Sequence, residues 1–465
     1  MTDDKTIRGF LFGLALFLSF PGLASAAFQY PVQVTAFGAK CDGSTDDTIS
    51  ISNAVAAATA NGLGGTIQFP AGTCIVNSTA GDPAIVLNNV ALVGAETPHN
   101  SIICVYNPMT CPQGNNINGT VLSIGKGIAQ AQQTVPFILQ QGVTIRGINF
   151  IYPSEFLPNT SVSPYPALFS DDGTHQVSNI LFENVHVIAA YAFWYQQGAS
   201  VPYGNIRFVN SDVYGIKYVF NWSNVAESVT FDNFDSNPSL CLNSCAPAAI
   251  SYTEASGVWF HVTGGSHGGN PTDVAGLQAS NLTVAGYSVG VLVDSNGHLD
   301  ESLFGPTTVF DTVPTVLSVN SNGSITHTVF SGKAEFGGSG TQPAFELFNP
   351  QHPLPNDRNE DHNSLSLNGF TADGVAGYFL YATSATSGDI GSISMVGTVV
   401  RHYCNGSGSS ALDGVYVNSP NASTTLLIAG SQITTANSNC GGLSVNVPNG
   451  QYVSAGNITG YLPNN

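Results

Sequence analysis

Positive charge is nearly missing from this chain. Lys and Arg together number 10 in 465 residues, against 29 Asp and Glu, and the net charge is −19. That argues against nucleic acid as a partner, because its phosphates need Lys and Arg to hold them. It argues, less strongly, against a densely anionic substrate unless cations or a local basic patch intervene. Charged residues of both signs make up only 8% of the chain, yet 43% is hydrophobic, so scarcity of charge does not mean disorder. Long apolar runs are missing too. The run from Phe10 to Phe20 is too short to span a bilayer, and no later segment is longer. No Cys/His spacing matches a zinc site.

What is present begins with an export leader, expected over residues 1–26. Lys5 and Arg8 form a short basic region, the apolar run follows, and Ala24-Ser25-Ala26 is a small-residue cleavage site. The protein is therefore expected to be secreted or periplasmic, with no membrane span after cleavage. All eight cysteines follow the leader, as an oxidising compartment allows. Gly, Ser, Thr and Asn are abundant, which suits many short strands joined by tight turns.

Residues 35–76 carry three pieces in order. FGAKCDGSTDD is rich in turn formers and acids. DDTISISNAVAAATA is an Ala-rich helical run. GGTIQFPAGTCIV reads as a strand, a Pro/Gly turn and a second strand. Asp46 or Thr45 can cap a helix running to about residue 60, with Asp47 favourable near its dipole. Asp42, Asp46 and Asp47 thus read as structural acids. From about residue 142 a second pattern recurs every 20–35 residues, the mark of a solenoid. GVTIRGINF (142–150), NILFENVHV (179–187), NIRFVNSDV (205–213) and SVTFDNFDS (228–236) stack well. Positions two and four are apolar, namely Val143 and Ile145, Ile180 and Phe182, Ile206 and Phe208, Val229 and Phe231. Period-two alternation of this kind marks strands with one buried face. Position six is Asn184, Asn210 and Asn233 in three of the four, a column that would satisfy backbone groups at a bend. His186, Asp212 and Asp235 share position eight, an outward column that reads as a solvated face rather than a metal site.

The opening block resembles the start of the pectate-lyase/rhamnogalacturonase-like superfamily, whose usual form is FGAxGDGxTDDT…GGxVxFPxGxY. The resemblance implies an all-β fold: a single-stranded right-handed parallel β-helix spanning 27–465, with an N-terminal capping α-helix inside a capping region at 27–80. Residues 300–363 are the least regular stretch, and a β-helix to about 300 followed by a β-sandwich is the alternative. Cys41 and Cys74 stand where the superfamily pattern has Gly and an aromatic, so the comparison implies a Cys41–Cys74 disulfide. Cys104 with Cys111, Cys241 with Cys245 and Cys404 with Cys440 pair next by proximity, although sequence alone does not fix connectivity. The aspartates would then belong to a helical plug over the open end of the solenoid.

Polysaccharide-active relatives lay substrate on the sheet preceding the Asn turn. Here that sheet would be built from ALFSDDGT (167–174), AYAFWYQQ (190–197), GIKYVFNWS (215–223) and AISYTEA (249–255). Its aromatics would offer platforms for sugar faces, with Trp194, Tyr195, Trp222 and Tyr252 chosen as outward. Asp172 matches by position the catalytic aspartate of polygalacturonase-like enzymes, with Asp171, Lys217 and Glu254 as neighbours on the same face. The adjacent Asp-Asp pair, Gly-His-Gly and Arg-Ile-Lys elements of those enzymes are missing in register. Glu254, three rungs from Asp172, would lie ~14 Å away, beyond the ~5–10 Å of a glycosidase carboxylate pair. A lyase would need Lys217, Arg207 or Arg146 as a base and a neutralising charge, often calcium; no cofactor is otherwise implied. The resemblance thus implies a secreted protein that binds and cleaves a neutral or weakly acidic polysaccharide, as hydrolase or lyase. Its rival is a non-catalytic glycan-binding surface or tailspike-like protein, for which a trimer has precedent.

Overall fold

The computed structural model describes residues 31–461 apart from 80, 83, 96–118, 157–158, 199, 242–244, 268–269, 321–322, 337–340, 349–362, 385–389, 406–411, 420–423, 436 and 449–450. The leader and all but the last residue of the 350–363 loop lie outside the described residues.

Thirty-five strands pair into one parallel sheet that winds coil upon coil, each strand bonding to its counterpart one coil later. With the right-handed crossovers that parallel connections adopt, this is a right-handed parallel β-helix. The columns read from the sequence stand in register. Ile145 pairs with Phe182, Phe182 with Phe208, and Phe208 with Phe231. Phe182, Phe208 and Phe231 form a continuous ring stack, with centroids 5.0 and 5.2 Å apart. Each such aromatic pair contributes roughly 0.5–1.5 kcal/mol beyond its buried area.

The asparagine column has a sharper cause than backbone satisfaction. Asn184, Asn210 and Asn233 have φ of 52°, 48° and 54°, and Gly147 fills the same position with φ 64°. The bend needs the left-handed conformation, which Gly adopts freely and Asn better than other residues. The amides also bond to one another, Asn233 Nδ2 donating to Asn210 Oδ1 at 2.9 Å.

The plug is the helix α1, Thr48–Thr59, whose Ile51, Ala54, Val55 and Ala58 are buried against the first coils. Asp46 accepts from the Thr48 backbone N–H at 3.0 Å, close to the expected cap. Asp47 does something else. Fully buried, it accepts from the backbone N–H groups of Lys40, Cys41 and Ile75. Asp42 accepts from the Ser44 and Thr45 N–H groups and closes the turn. The Cys41–Cys74 disulfide ties this turn to the next strand, and Cys241–Cys245 and Cys404–Cys440 are also formed. Three of the four expected bridges are thus present. The fourth falls on Cys104 and Cys111, and both Cys104 and Cys111 lie outside the described residues. Within residues 300–363, expected to be the least regular, the described part carries strands that continue the ladder, such as Thr315–Val319 and Phe345–Phe348.

Candidate functional site

One sheet of the solenoid carries a column of side chains at outward parity, one per coil, in which Tyr195 is exposed and Ser170, Asn221 and His261 are buried. Ser170 pairs with Tyr195, Tyr195 with Asn221, Asn221 with His261, and His261 with Leu292. Successive members lie ~4.8 Å apart. Beside this column sits the second helix, α2, Pro247–Ser256, inserted before the strand Val258–Val262. Read as a strand in the sequence, AISYTEA is this helix. Pro247 occupies its first turn, where a missing N–H costs nothing, and the buried Ala249 and Thr253 are four residues apart on one face. The site-sheet strand of that coil is instead VWFHV.

The residues singled out from sequence scatter. Trp194 and Trp222 are fully buried, so they cannot offer faces to a sugar. They pack edge-on against each other at 5.1 Å. The register slips on both sides of Ala190, next to Ala189 at φ 61°, and Phe193 and Trp194 both turn inward. Tyr195 does face outward, 43% exposed. Glu254 is exposed on α2 and not in the column.

The strand Phe169–Ser170 ends before the aspartate pair, so both carboxylates serve a bend. Asp171 is buried, accepting from the Gly173 and Gln197 N–H groups and from the Tyr203 hydroxyl at 2.5 Å. Tyr203 in turn accepts from the Trp194 indole. Asp172 accepts from the N–H groups of Thr174 and His175, the Thr174 hydroxyl and the Gln140 amide, and bonds the His175 ring at 2.6 Å. Burial works against its charge, but the backbone donors win and hold the carboxyl well below the ordinary range. A carboxylate so held is a poor proton donor. Asp294 follows Leu292 by two residues and so lies four coils from Asp172, ~19 Å by strand spacing. A glycosidase pair cannot be built from these two.

The structure brings a different group together. Lys217 places its ammonium over the Tyr218 ring at 5.2 Å and over the Tyr252 ring at 5.8 Å. The Tyr191 and Tyr252 hydroxyls are 3.5 Å apart. All four side chains are half-buried. The hydrogen bond from Tyr191, and then the Lys217 charge, pull the Tyr252 phenol below its ordinary pKa, against some burial. Burial first, and then Tyr252, push the Tyr191 phenol far up. Two like groups are thus driven apart, one toward base and one toward acid.

The Tyr218 ring stacks on His261 at 5.1 Å and 19°. His261 Nε2 meets Asp294 Oδ1 at 2.8 Å, and its Nδ1 lies 3.3 Å from Asn221 Nδ2. Burial opposes the Asp294 charge, but the His261 bond and charge prevail and its pKa falls. His261, itself a member of the column, and Tyr218 therefore form a braced stack beside Lys217. Sequence reasoning passed over His261. Its signal was a lone imidazole at the outward parity of an otherwise apolar strand.

The position-eight residues stand in register, His186 paired with Asp212 and Asp212 with Asp235, but half-buried rather than as a solvated face. His186 bonds Asp212 at 2.7 Å, and Asn237 holds Asp235. Arg146 pairs with Glu183 at 2.5 Å on another sheet. Among the described residues, Cys41, Asp47 and Cys74 are the one close group of metal-ligand types, and a disulfide and three backbone N–H groups already occupy them.

The sequence model of the family described as rhamnogalacturonase A/epimerase, pectate lyase-like, matches residues 32–237. No curated protein matches the chain. Among solved structures, the mannuronan C-5 epimerase AlgE6 A-module of Azotobacter vinelandii is 14% identical, with a TM-score of 0.44, over 93% of this chain and 100% of that one. The catalytic unit of a GH87 alpha-1,3-glucanase from Streptomyces thermodiastaticus is 13% identical, with a TM-score of 0.43, over 92% and 68%. A tailspike protein mutant of E. coli bacteriophage HK620 in complex with pentasaccharide is 12% identical, with a TM-score of 0.46, over 93% and 78%.

Proposed function

From the match of residues 32–237 to the family model described as rhamnogalacturonase A/epimerase, pectate lyase-like, we propose that the protein is a polysaccharide lyase acting on a weakly acidic, uronate-containing chain. The observation that carries the proposal is the tyrosine pair, Tyr252 lowered and Tyr191 raised, with hydroxyls 3.5 Å apart beside Lys217. Tyr252 takes the proton on the carbon next to the uronate carboxyl. Lys217 opposes the charge that develops on that carboxylate, supplying locally the cation that the chain lacks globally. Tyr191, kept protonated, donates to the departing glycosidic oxygen. Acid and base on one side of the sugar suit a syn elimination, which leaves an unsaturated uronide. Hydrolysis is the weaker reading, because Asp172 is held as a carboxylate and Asp294 lies ~19 Å from it.

The test is a panel of uronate-containing polysaccharides followed at the ultraviolet absorbance of unsaturated uronides, with reducing ends measured in parallel. Both signals should rise together. Reducing ends without absorbance would mean hydrolysis, and retention of polymer with neither signal would mean a glycan-binding protein without catalysis. Calcium is expected to be dispensable where Lys217 neutralises the carboxylate. A rate abolished by EDTA and restored by calcium would overturn that role.

A further inference from the structure

The site sheet runs on beyond His261. Its outward column continues through Leu292, Ser318, Glu346, Tyr381 and Tyr416 to Ser444, one residue per coil. At Tyr381 the surface changes character. Tyr381 and Tyr416 stack face to face, centroids 5.2 Å apart and 12° between planes. Tyr378 leans against both, at 5.1 and 5.9 Å. All three are half-buried. Glu346 stands one coil before Tyr381, its Oε2 accepting from the Ser318 hydroxyl at 3.0 Å. Asn418 ends the Tyr416 strand with an amide that accepts from Asn446 at 2.7 Å. The strands Phe345–Phe348, Leu380–Thr383, Asp413–Asn418 and Gly441–Asn446 contain no Lys or Arg.

We propose that this tyrosine ladder is a second glycan-binding site, taking neutral sugar residues of a polysaccharide laid along the solenoid. Aromatic carbon beside hydroxyls, an amide and a carboxylate is the chemistry that recognises a sugar, whose ring has apolar C–H groups and a rim of hydroxyls. A uronate is disfavoured here, since Glu346 and Asp413 are the charged groups on these strands and, among the described residues, neither has a salt bridge to a cation. Burial raises both carboxyls, which eases their use as hydrogen-bonding partners of neutral hydroxyls. The spacing fits as well. Coils repeat at ~4.8 Å, close to the advance of one sugar in an extended chain, and Tyr381 lies four coils from His261, ~19 Å on. One polymer can therefore lie across both sites. The proposal rests on the reading of this protein as glycan-active, but not on the chemistry assigned to Tyr252.

The experiment is affinity gel electrophoresis of the full chain in soluble β-glucan, galactan and arabinan, with polygalacturonate as the charged comparison. The wild type should be retarded by at least one neutral polymer. The double variant Tyr381→Ala/Tyr416→Ala should bind that polymer at least tenfold more weakly. If it does not fold, Tyr381→Phe/Tyr416→Phe keeps the stack and should still weaken binding about threefold. Tyr252→Phe should be retarded like the wild type. The proposal falls if no neutral polymer retards the wild type, if the ladder variants bind unchanged, or if Tyr252→Phe abolishes the retardation. Failure to form unsaturated uronide, with neutral binding intact and ladder-dependent, would sink the lyase reading alone.

Discussion

Lys217→Met separates the roles of Lys217 and Tyr252. The ammonium lies 5.8 Å from the centre of the Tyr252 ring. At that distance a unit charge stabilises a tyrosinate by about 3 kcal/mol at an effective dielectric of 20, and by about 0.7 kcal/mol at that of water. Both side chains are half-exposed, so solvent screening puts the interaction near the lower end, about 1 kcal/mol. Below the titration of Tyr252 this costs about a fivefold loss of the reactive tyrosinate. The sign follows from the lowered pKa: the base gains activity as pH rises through it, and removing Lys217 moves that limb to higher pH. The Lys217→Met defect in kcat should therefore shrink at alkaline pH, leaving only the part due to lost carboxylate neutralisation. Tyr252→Phe has no such rescue. Loss of the general base should cost 10²–10⁴-fold in kcat at every pH, with KM little changed. The assay is initial rate of unsaturated-uronide formation across pH for the wild type and both variants. A Tyr252→Phe enzyme within threefold of wild type, or a Lys217→Met profile parallel to wild type at all pH values, would refute the reasoning.

Three further outcomes concern Asp172, the Cys41–Cys74 bridge and Glu155. Asp172→Asn should keep kcat within about twofold while making acid unfolding less steep, since a carboxyl held below its ordinary pKa stabilises the fold above that value and loses the contribution as pH falls; a thousandfold loss of activity would restore it as a catalytic group. The Cys41→Ser/Cys74→Ser variant opens a cross-link with a sequence separation of 33 and should lose about 3.7 kcal/mol in urea unfolding by the loop-entropy relation; a loss under about 1 kcal/mol would mean the plug holds without it. Glu155, buried with its carboxyl pushed up to about 7, favours its protonated form in the fold. Its contribution is present below about pH 4 and is lost as pH rises through 7, by up to about 3 kcal/mol. Glu155→Gln should flatten that decline between pH 5 and 8, and a variant whose stability falls as the wild type does would contradict this.

The misreadings have identifiable physics. AISYTEA satisfies period two and period four at once, and only Pro247 together with the Ala249/Thr253 spacing favours the helix that carries Tyr252. The Trp194 error came from a local slip. Around Ala189, in the left-handed conformation, the register slips and then recovers, and both Phe193 and Trp194 turn inward. His261 was legible in principle, as an imidazole among apolar neighbours, but nothing nearby in sequence announces Asp294 or Tyr218 as its partners.

The sequence by itself determined the solenoid. Its inward columns, its Asn column and its helical plug follow from local pattern, because each coil repeats the same burial problem and solves it with the same residue types, while the Cys41–Cys74 staple was implied by the resemblance of the opening block. Only the tertiary structure decided the site. Tyr191, Lys217 and Tyr252 come from three successive excursions of the chain, and their pKa values diverge only once α2 folds back over the sheet. A charge or a hydroxyl has no function until distance and burial give it a partner, and those belong to the wound chain rather than to any segment of it.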